Sequence, residues 1–285
     1  MTRAFSLSLG LLSFAAWAGG AQWLGPKPPE KVTRVVTVAP SLTETVLALG
    51  ASSTLVGVSR FDEAPEVEKL TRVGGFNDPS VETVLSLKPQ LVLLQKAPGN
   101  QKSVEKLAEL GVPILALPLT GVDDVLESIG LIGHTLGKDA EAKALTTKLT
   151  TARASIRSRA AKLPHPRVLF VYGFSPLVVA GPGSYAHELL VDAGGINVVE
   201  ASPSAYPTYS AERAVALKPD VVIDSAFGMD DRSTLRHLEG LKNARWVATH
   251  SQALLHPGPA LADGLEELFA LIHSASDAGE KSPGK

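Results

Sequence analysis

Two kinds of apolar pattern alternate along the chain from residue 34 onward. The first is a short continuous run, seen in "RVVTVAP", "TLVGVS", "QLVLLQ", "PILALP", "RVLFVYG" and "DVVIDS". Unbroken runs of this length suit strands covered on both faces, as in a parallel sheet. The second is a helical stripe, seen in "SLTETVLALGA", at 81–88, 101–110 and 211–218, in "YAHELLVDAGG", around 231–240 and at about 259–275. Strand and helix take turns, which predicts an α/β fold with open, mostly parallel sheets. Ser41 followed three residues later by Glu44 predicts a capping box at the first helix start, with Gly50 as its stop. A short strand is expected near "RWVAT".

The alternation is played twice. Residues 81–94, "VETVLSLKPQLVLL", return at 211–224 as "AERAVALKPDVVID". Each copy has a serine two residues before a glutamate (Ser80 and Glu82, Ser210 and Glu212), an apolar helical stripe, Leu-Lys-Pro and a strand-like run. With the serines as N-caps, each glutamate sits in a first helical turn, where its charge suits the helix N-terminus. That accounts for an acid at each position but not for its return at the same place of two halves. Between the halves, residues 138–163 contain no Pro or Gly and are rich in Ala, Lys, Arg and Leu. They predict one helix of roughly 25 residues, about 37 Å long, stiffer than a Gly/Ser linker. The expected organisation is a signal peptide (1–21), an N-terminal α/β lobe (32–137), an interlobe helix (138–163), a C-terminal α/β lobe (164–275) and a disordered polar tail (276–285).

Composition narrows the function classes. A chain of 285 residues with 45% hydrophobic and 20% charged residues supports two cored lobes. A formal charge of -2 gives no basis for nucleic-acid binding. The start, "MTRAFSLSLGLLSFAAWAGGA", has one Arg, an apolar run broken by Ser and Gly, and small residues. It predicts secretory cleavage after Ala18 or Ala21 rather than a membrane anchor, and loss of Arg3 takes the charge to -3. The chain has no Cys, which excludes disulfides, thiolate metal sites and a lipidated cysteine. Export would then give a freely soluble periplasmic protein, expected to be a monomer without membrane insertion.

Enzyme signatures are missing from the sequence. "GPGSYAHELL" lacks dinucleotide or phosphate-loop spacing. No G-x-S-x-G elbow occurs, and His187 and Glu188 are adjacent rather than spaced as a helical zinc pair. No catalytic residue, metal-ligand set or resident cofactor is therefore expected.

The ordered segments "RVVTVAPSLTETVLALGA", "LVGVS", "VGGFNDPSVETVLSLKPQLVLL", "LAELGVPILALP", the long helix, "LKPDVVI" and "HPGPALADGLEELFALI" resemble one family. It comprises the periplasmic binding proteins that feed cobalamin, haem and ferric siderophores to ABC importers, and the likeness covers residues 34 to about 273. The resemblance implies two Rossmann-like lobes joined by a single long backbone helix, with a ligand held in the cleft between them. It also implies one surface glutamate per lobe docking on arginines of a permease dimer that carries ATPase subunits; Glu82 and Glu212 occupy the matching positions. Within the family the pattern is most similar to the cobalamin binders, whose cleft aromatics fall at Phe61, Phe76 and Tyr206. Flat rings suit a corrin face.

Haem binders of the family present an axial Tyr or His before the first Leu-Lys-Pro helix. Phe76 stands in that region and cannot ligate iron, which leaves Tyr172, Tyr185, Tyr206, Tyr209 or His256 as alternatives. His256 is also a candidate to hydrogen-bond a ligand amide. Arg60 is the remaining basic candidate, diluted by Asp62 and Glu63, and Ala260 stands where relatives often carry Arg, which weakens the case for an anionic catecholate guest. The expected ligand is cobalamin or a related corrinoid, with a ferric siderophore or haem as the alternative. A free zinc or manganese binder would need converging His and carboxylates, and no His-rich loop is present.

Overall fold

The computed structural model describes residues 19–97, 99–225, 235–249 and 251–274. The apolar leader before Gly19, the tail 276–285 and the first part of the helix expected at 231–240 lie outside the described residues.

Leu-, Val- and Ile-rich runs form two sheets. The N-terminal sheet contains β1 (Gln22–Leu24), β2 (Val35–Thr37), β3 (Leu55–Val58), β4 (Thr71–Arg72), β5 (Leu91–Gln95) and β6 (Ile114–Leu117). Their order is β1-β6-β5-β2-β3-β4, parallel throughout except for β1, which runs antiparallel on the β6 edge. The second sheet contains β7 (Arg167–Phe174), β8 (Leu177–Val179), β9 (Ile196–Asn197), β10 (Thr208–Tyr209), β11 (Val221–Asp224) and β12 (Arg245–Ala248). Its order is β10-β8-β7-β11-β12, with β9 beside β7; β7, β9, β11 and β12 are parallel, and β8 and β10 add an antiparallel flank.

Eight helices are present among the described residues: α1 (Pro40–Ala48), α2 (Val81–Ser86), α3 (Gln101–Glu109), α4 (Val122–Thr135), α5 (Asp139–Ala160), α6 (Tyr185–Asp192), α7 (Ala211–Ala216) and α8 (Leu261–His273). α5 is the single long helix between the lobes; its 22 residues span about 33 Å. It lies against α4 on one side and α8 on the other. Its buried positions, Ala142, Leu149, Ile156 and Ala160, form one narrow stripe, so propensity and neighbours hold it rather than a wide apolar face.

The apolar runs are continuous because alternate residues serve different cores. Leu91, Leu93, Leu115 and Leu117 join a cluster that continues through Ile129 and Ile132 of α4, Leu149 and Ile156 of α5, and Leu189 of α6 to Phe170 of β7 and Leu265 and Leu268 of α8. Val92, Leu94, Ile114 and Ala116 face the other way, onto Val84 of α2 and Val104 and Leu107 of α3. Leu169, Val171 and Val222 face a third cluster in the second lobe. One core thus runs unbroken from the first sheet to the second.

The sequence pattern predicts no element at residues 119–136, where α4 forms. Two internal glycines weaken its helical signature. Gly133 is required by packing, since a Cβ there would stand 2.4 Å from the Ala142 Cβ of α5.

A charged knot fixes α6 against α4 and α5. Arg153 of α5 donates to Asp192 and Glu188 of α6, and Arg157 also pairs with Asp192, which is 3% exposed. The other Glu188 oxygen accepts the Val122 N–H at the start of α4 (3.2 Å), and the Tyr185 N–H donates to the Thr120 carbonyl (2.6 Å). Removing one partner of a buried pair leaves an uncompensated charge. Arg153→Met is expected to lower the unfolding free energy in urea by about 3 kcal/mol. Arg157→Met, on a half-exposed side chain, should cost about 1 kcal/mol or less.

Candidate functional site

In open α/β sheets the carboxyl ends of the strands carry the ligand crevice. In the first lobe that edge bears the start of α1 after β2, residues 59–62 after β3 and residues 73–78 after β4. In the second lobe it bears the end of β7 and the segment after β12. The two edges meet where His256 Nδ1 lies 2.6 Å from Glu44 Oε1, a contact between residues 212 positions apart. Gly258 packs on the same turn of α1, where a Cβ would meet the Ser41 carbonyl oxygen at 3.3 Å and Glu44 Oε2 at 3.5 Å.

Glu44 is therefore free of the capping role that the Ser41 spacing predicts. α1 begins at Pro40, its N-cap is Ala39, and no side chain caps it. Proline is suited to the first helical position, which moves Ser41 and Glu44 into the helix body. The buried Ser41 Oγ has no hydrogen-bond partner among the described residues.

At the first-lobe edge two loops come together. Phe61, 49% exposed, and Phe76 approach to 6.3 Å between centroids with a tilt of 51°. Arg60 lies 4.9 Å above the Phe61 ring, and its Nη2 donates to both Asp78 oxygens at 2.8 and 2.9 Å. The buried Asn100 fixes the second loop by donating Nδ2 to the carbonyls of Phe76 and Gln95. The next residue, Asp62, is 6% exposed, engages Thr43 of α1 and is close enough to Glu44 to feel its charge. Burial raises the Asp62 carboxyl to about 6, despite the lowering effects of Thr43, Arg72 and the Ser59 backbone.

The second-lobe side is a tyrosine cluster. Tyr206, on the loop before β10, meets Tyr172 edge-on at 5.3 Å and Tyr185 at 6.4 Å. Tyr185 donates to the carbonyls of Leu254 and Leu255, and Tyr172 to that of Leu254, so the cluster anchors the segment that presents His256. Burial pushes all three phenols well above their usual value of 10. Tyr209 is also buried, and its hydroxyl has no partner among the described residues. Among the described residues no group of three or more His, Asp or Glu is placed to hold a metal ion.

Glu82 and Glu212 are both exposed and stand in the first turns of α2 and α7. Ser80 Oγ accepts the Thr83 N–H and Ser210 Oγ the Arg213 N–H, as the repeat predicts. The Glu212 carboxyl is held below its usual range by its own backbone N–H and by Ser210. The likeness extends to residues outside the quoted repeat. Arg34 and Arg167 reach the same last carbonyls, Leu87 and Lys88 in one lobe and Leu217 and Lys218 in the other. Lys88 and Lys218 both take left-handed backbone, φ 46° and 47°.

Residues 35–248 match the family model described as periplasmic binding protein, three quarters of the chain. The chain belongs to that periplasmic binding protein family. Its members are solute-binding components of transport rather than enzymes. The vitamin B12-binding protein of Salmonella typhimurium is 28% identical over 202 residues, covering 70% of this chain and 73% of the relative. That of Yersinia pseudotuberculosis is 28% identical over 199 residues, covering 70% and 71%. Among solved structures, the periplasmic vitamin B12 binding protein of Vibrio cholerae superposes with TM-score 0.75 at 24% identity over 86% of this chain and 98% of that one, a likeness of fold. The periplasmic haem-binding protein of Roseiflexus sp. RS-1 gives TM-score 0.74 at 27% identity, covering 85% and 98%. The periplasmic binding protein fold with two lobes and one connecting helix is thereby established, and no helix among the described residues is long and apolar enough to cross a membrane.

The raised carboxyl of Asp62 makes a pH signature. A carboxyl raised on folding favours the folded state when protonated, so its contribution is full below about pH 4 and is lost as pH climbs to about 6. At ~1.36 kcal/mol per pK unit the loss is roughly 2–3 kcal/mol. Asp62→Asn is expected to be more stable than wild type at pH 7.5, with the difference vanishing near pH 4 in parallel urea titrations.

Proposed function

We propose that this periplasmic binding protein carries cobalamin or a related corrinoid in its interlobe cleft and delivers it to the permease of an ABC importer. The observation that carries the reading is the pair of aromatic walls, Phe61 with Phe76 on one lobe and Tyr206 with Tyr172 on the other. Each pair belongs to one lobe, the two lobes touch at His256 and Glu44, and the cation beside the first pair already has its anion. Aromatic rings bury large flat area with few rotors, which suits a bulky macrocycle rich in neutral side amides. Ferric haem held by tyrosine would need a phenol oxygen free for iron, and the Tyr172 and Tyr185 hydroxyls are already engaged with one another and with the Leu254 and Leu255 carbonyls. The vitamin B12-binding relatives support the same choice.

In this reading the leader is a cleaved export signal, the mature protein works in the periplasm as a monomer, and the lobes run 32–137 and 164–275 about the 138–163 segment. The continuous core and the Arg153 knot favour a cleft that closes little on its guest. Glu82 and Glu212 dock the permease dimer, one per lobe, and Arg60 and His256 line the ligand site.

Calorimetric titration with cyanocobalamin, haemin and a siderophore panel is the direct test. Heat with the first supports the reading; silence there with strong heat from a siderophore overturns it. Tyr206→Ala is expected to weaken cyanocobalamin binding about ten- to hundredfold, the worth of roughly 1.5–3 kcal/mol of aromatic burial. Glu82→Ala with Glu212→Ala should leave ligand affinity intact and abolish stimulation of the importer's ATPase. A loss of ligand binding in that double variant would count against docking.

A further inference from the structure

We propose that Asp78 is a selectivity residue: by occupying the Arg60 guanidinium it keeps the first-lobe wall of the cleft from attracting ligands that bear carboxylates. The inference rests on the cleft reading above and adds to it the reason why a neutral guest is preferred over an anionic one.

Arg60 left open would offer a planar fork of N–H donors, the group best matched to a carboxylate. Here its Nη2 already meets both oxygens of Asp78 at 2.8 and 2.9 Å. The pair is held by loop geometry. The Arg60 N–H donates to the Gly74 carbonyl (2.8 Å), the Asp78 N–H to the Gly75 carbonyl (3.2 Å), and the guanidinium rests on the Phe61 ring. Gly75 sits at the centre. A Cβ there would stand 2.6 Å from Phe61 Cε2, 2.9 Å from Asp78 Oδ1 and 3.3 Å from Arg60 Nη2, so a residue with a side chain would force the ring and the ion pair apart.

The pair is poorly suited to a stabilising role. Its side chains are 47% and 59% exposed, and exposed pairs contribute about 0–1 kcal/mol. Its effect falls on what can approach. A guest carboxylate at Nη2 would have to exchange places with Asp78, gaining one contact for one lost, and at any other edge of the guanidinium it would meet a charge already neutralised and a like charge beside it. The nearby groups do not offset this: Asp62, Glu63 and Glu44 are acidic, Glu44 already has His256, and Arg72 is turned to the Ser59 carbonyl and the Asp62 charge. A neutral amide-bearing guest meets no such exchange.

The test compares wild type, Asp78→Asn and the double variant Arg60→Gln/Asp78→Asn in absorbance titrations with haemin, haemin dimethyl ester and cyanocobalamin. Asp78→Asn is expected to bind haemin about tenfold more tightly than wild type at low salt, with the gain shrinking at high salt. The gain should be absent with the dimethyl ester, which has no free propionates, and absent in the double variant. Cyanocobalamin affinity should stay nearly constant between wild type and Asp78→Asn. An unchanged haemin affinity in Asp78→Asn, or a gain that survives in the double variant or with the ester, overturns the proposal. Failure of wild type to bind cyanocobalamin would sink the corrinoid reading instead, while the haemin comparison between variants would still decide the role of Asp78.

Discussion

The angle between the lobes depends on one guanidinium. Arg153 projects from the connecting helix into α6, where it satisfies a carboxylate that has almost no water, Asp192, and steadies Glu188, whose other oxygen holds the first N–H of α4. The contact is close: a Cβ on Gly121 would lie 2.7 Å from Glu188 Oε1 and would push that carboxylate aside. Asp192 and Arg153, the buried members, must be paired together, because either one left alone carries a large desolvation cost. The joint therefore tolerates one arrangement of α4, α5 and α6, and the shared apolar core packs around that arrangement. Everything at the cleft, including the 2.6 Å meeting of Glu44 and His256, presumes it.

The parallel strands and the helices between them are legible in the sequence because apolar runs and helical stripes report burial directly. The shortest flanking elements are not. β1, β4, β8, β9 and β10 have two or three residues each, too few to set up a pattern, and their pairing is made by backbone groups. Hence the first half follows the expected parallel plan closely, while the second has an antiparallel flank that its sequence does not advertise. α4 is hidden for a different reason, since the glycine that lowers its helical signal is the one that lets it lie close to α5.

The candidate site's aromatic clusters are legible in the sequence and their polar partners are not. Phe61, Phe76 and Tyr206 stand in loops after strands, and the fold brings the first two together and sets the third against Tyr172. The Ser41 spacing misleads about Glu44, although Pro40 already marks the helix start. Asn100, which pins the Phe76 loop, gives no local signal, and neither does Asp78, 18 residues from Arg60. Pairings across such separations follow from topology, and no periodicity encodes them.

The repeated helix shows how a short motif and a distant residue share one task. A six-residue helix has little stability of its own, since nucleation is costly and few internal bonds repay it. In both lobes its first turn is held by a serine and its last carbonyls by an arginine at the approach to the neighbouring parallel strand. The left-handed lysine before the proline then turns the chain directly into the next strand. With both ends tied to the sheet, the helix has no freedom to rotate, and the second helical residue must project at the same place in each lobe. Glu82 and Glu212 are thus fixed relative to their own sheets, and the Arg153 knot fixes the sheets relative to one another. The separation of the two acids becomes a property of the scaffold rather than of the cleft, which is what the proposed docking to a two-fold partner needs.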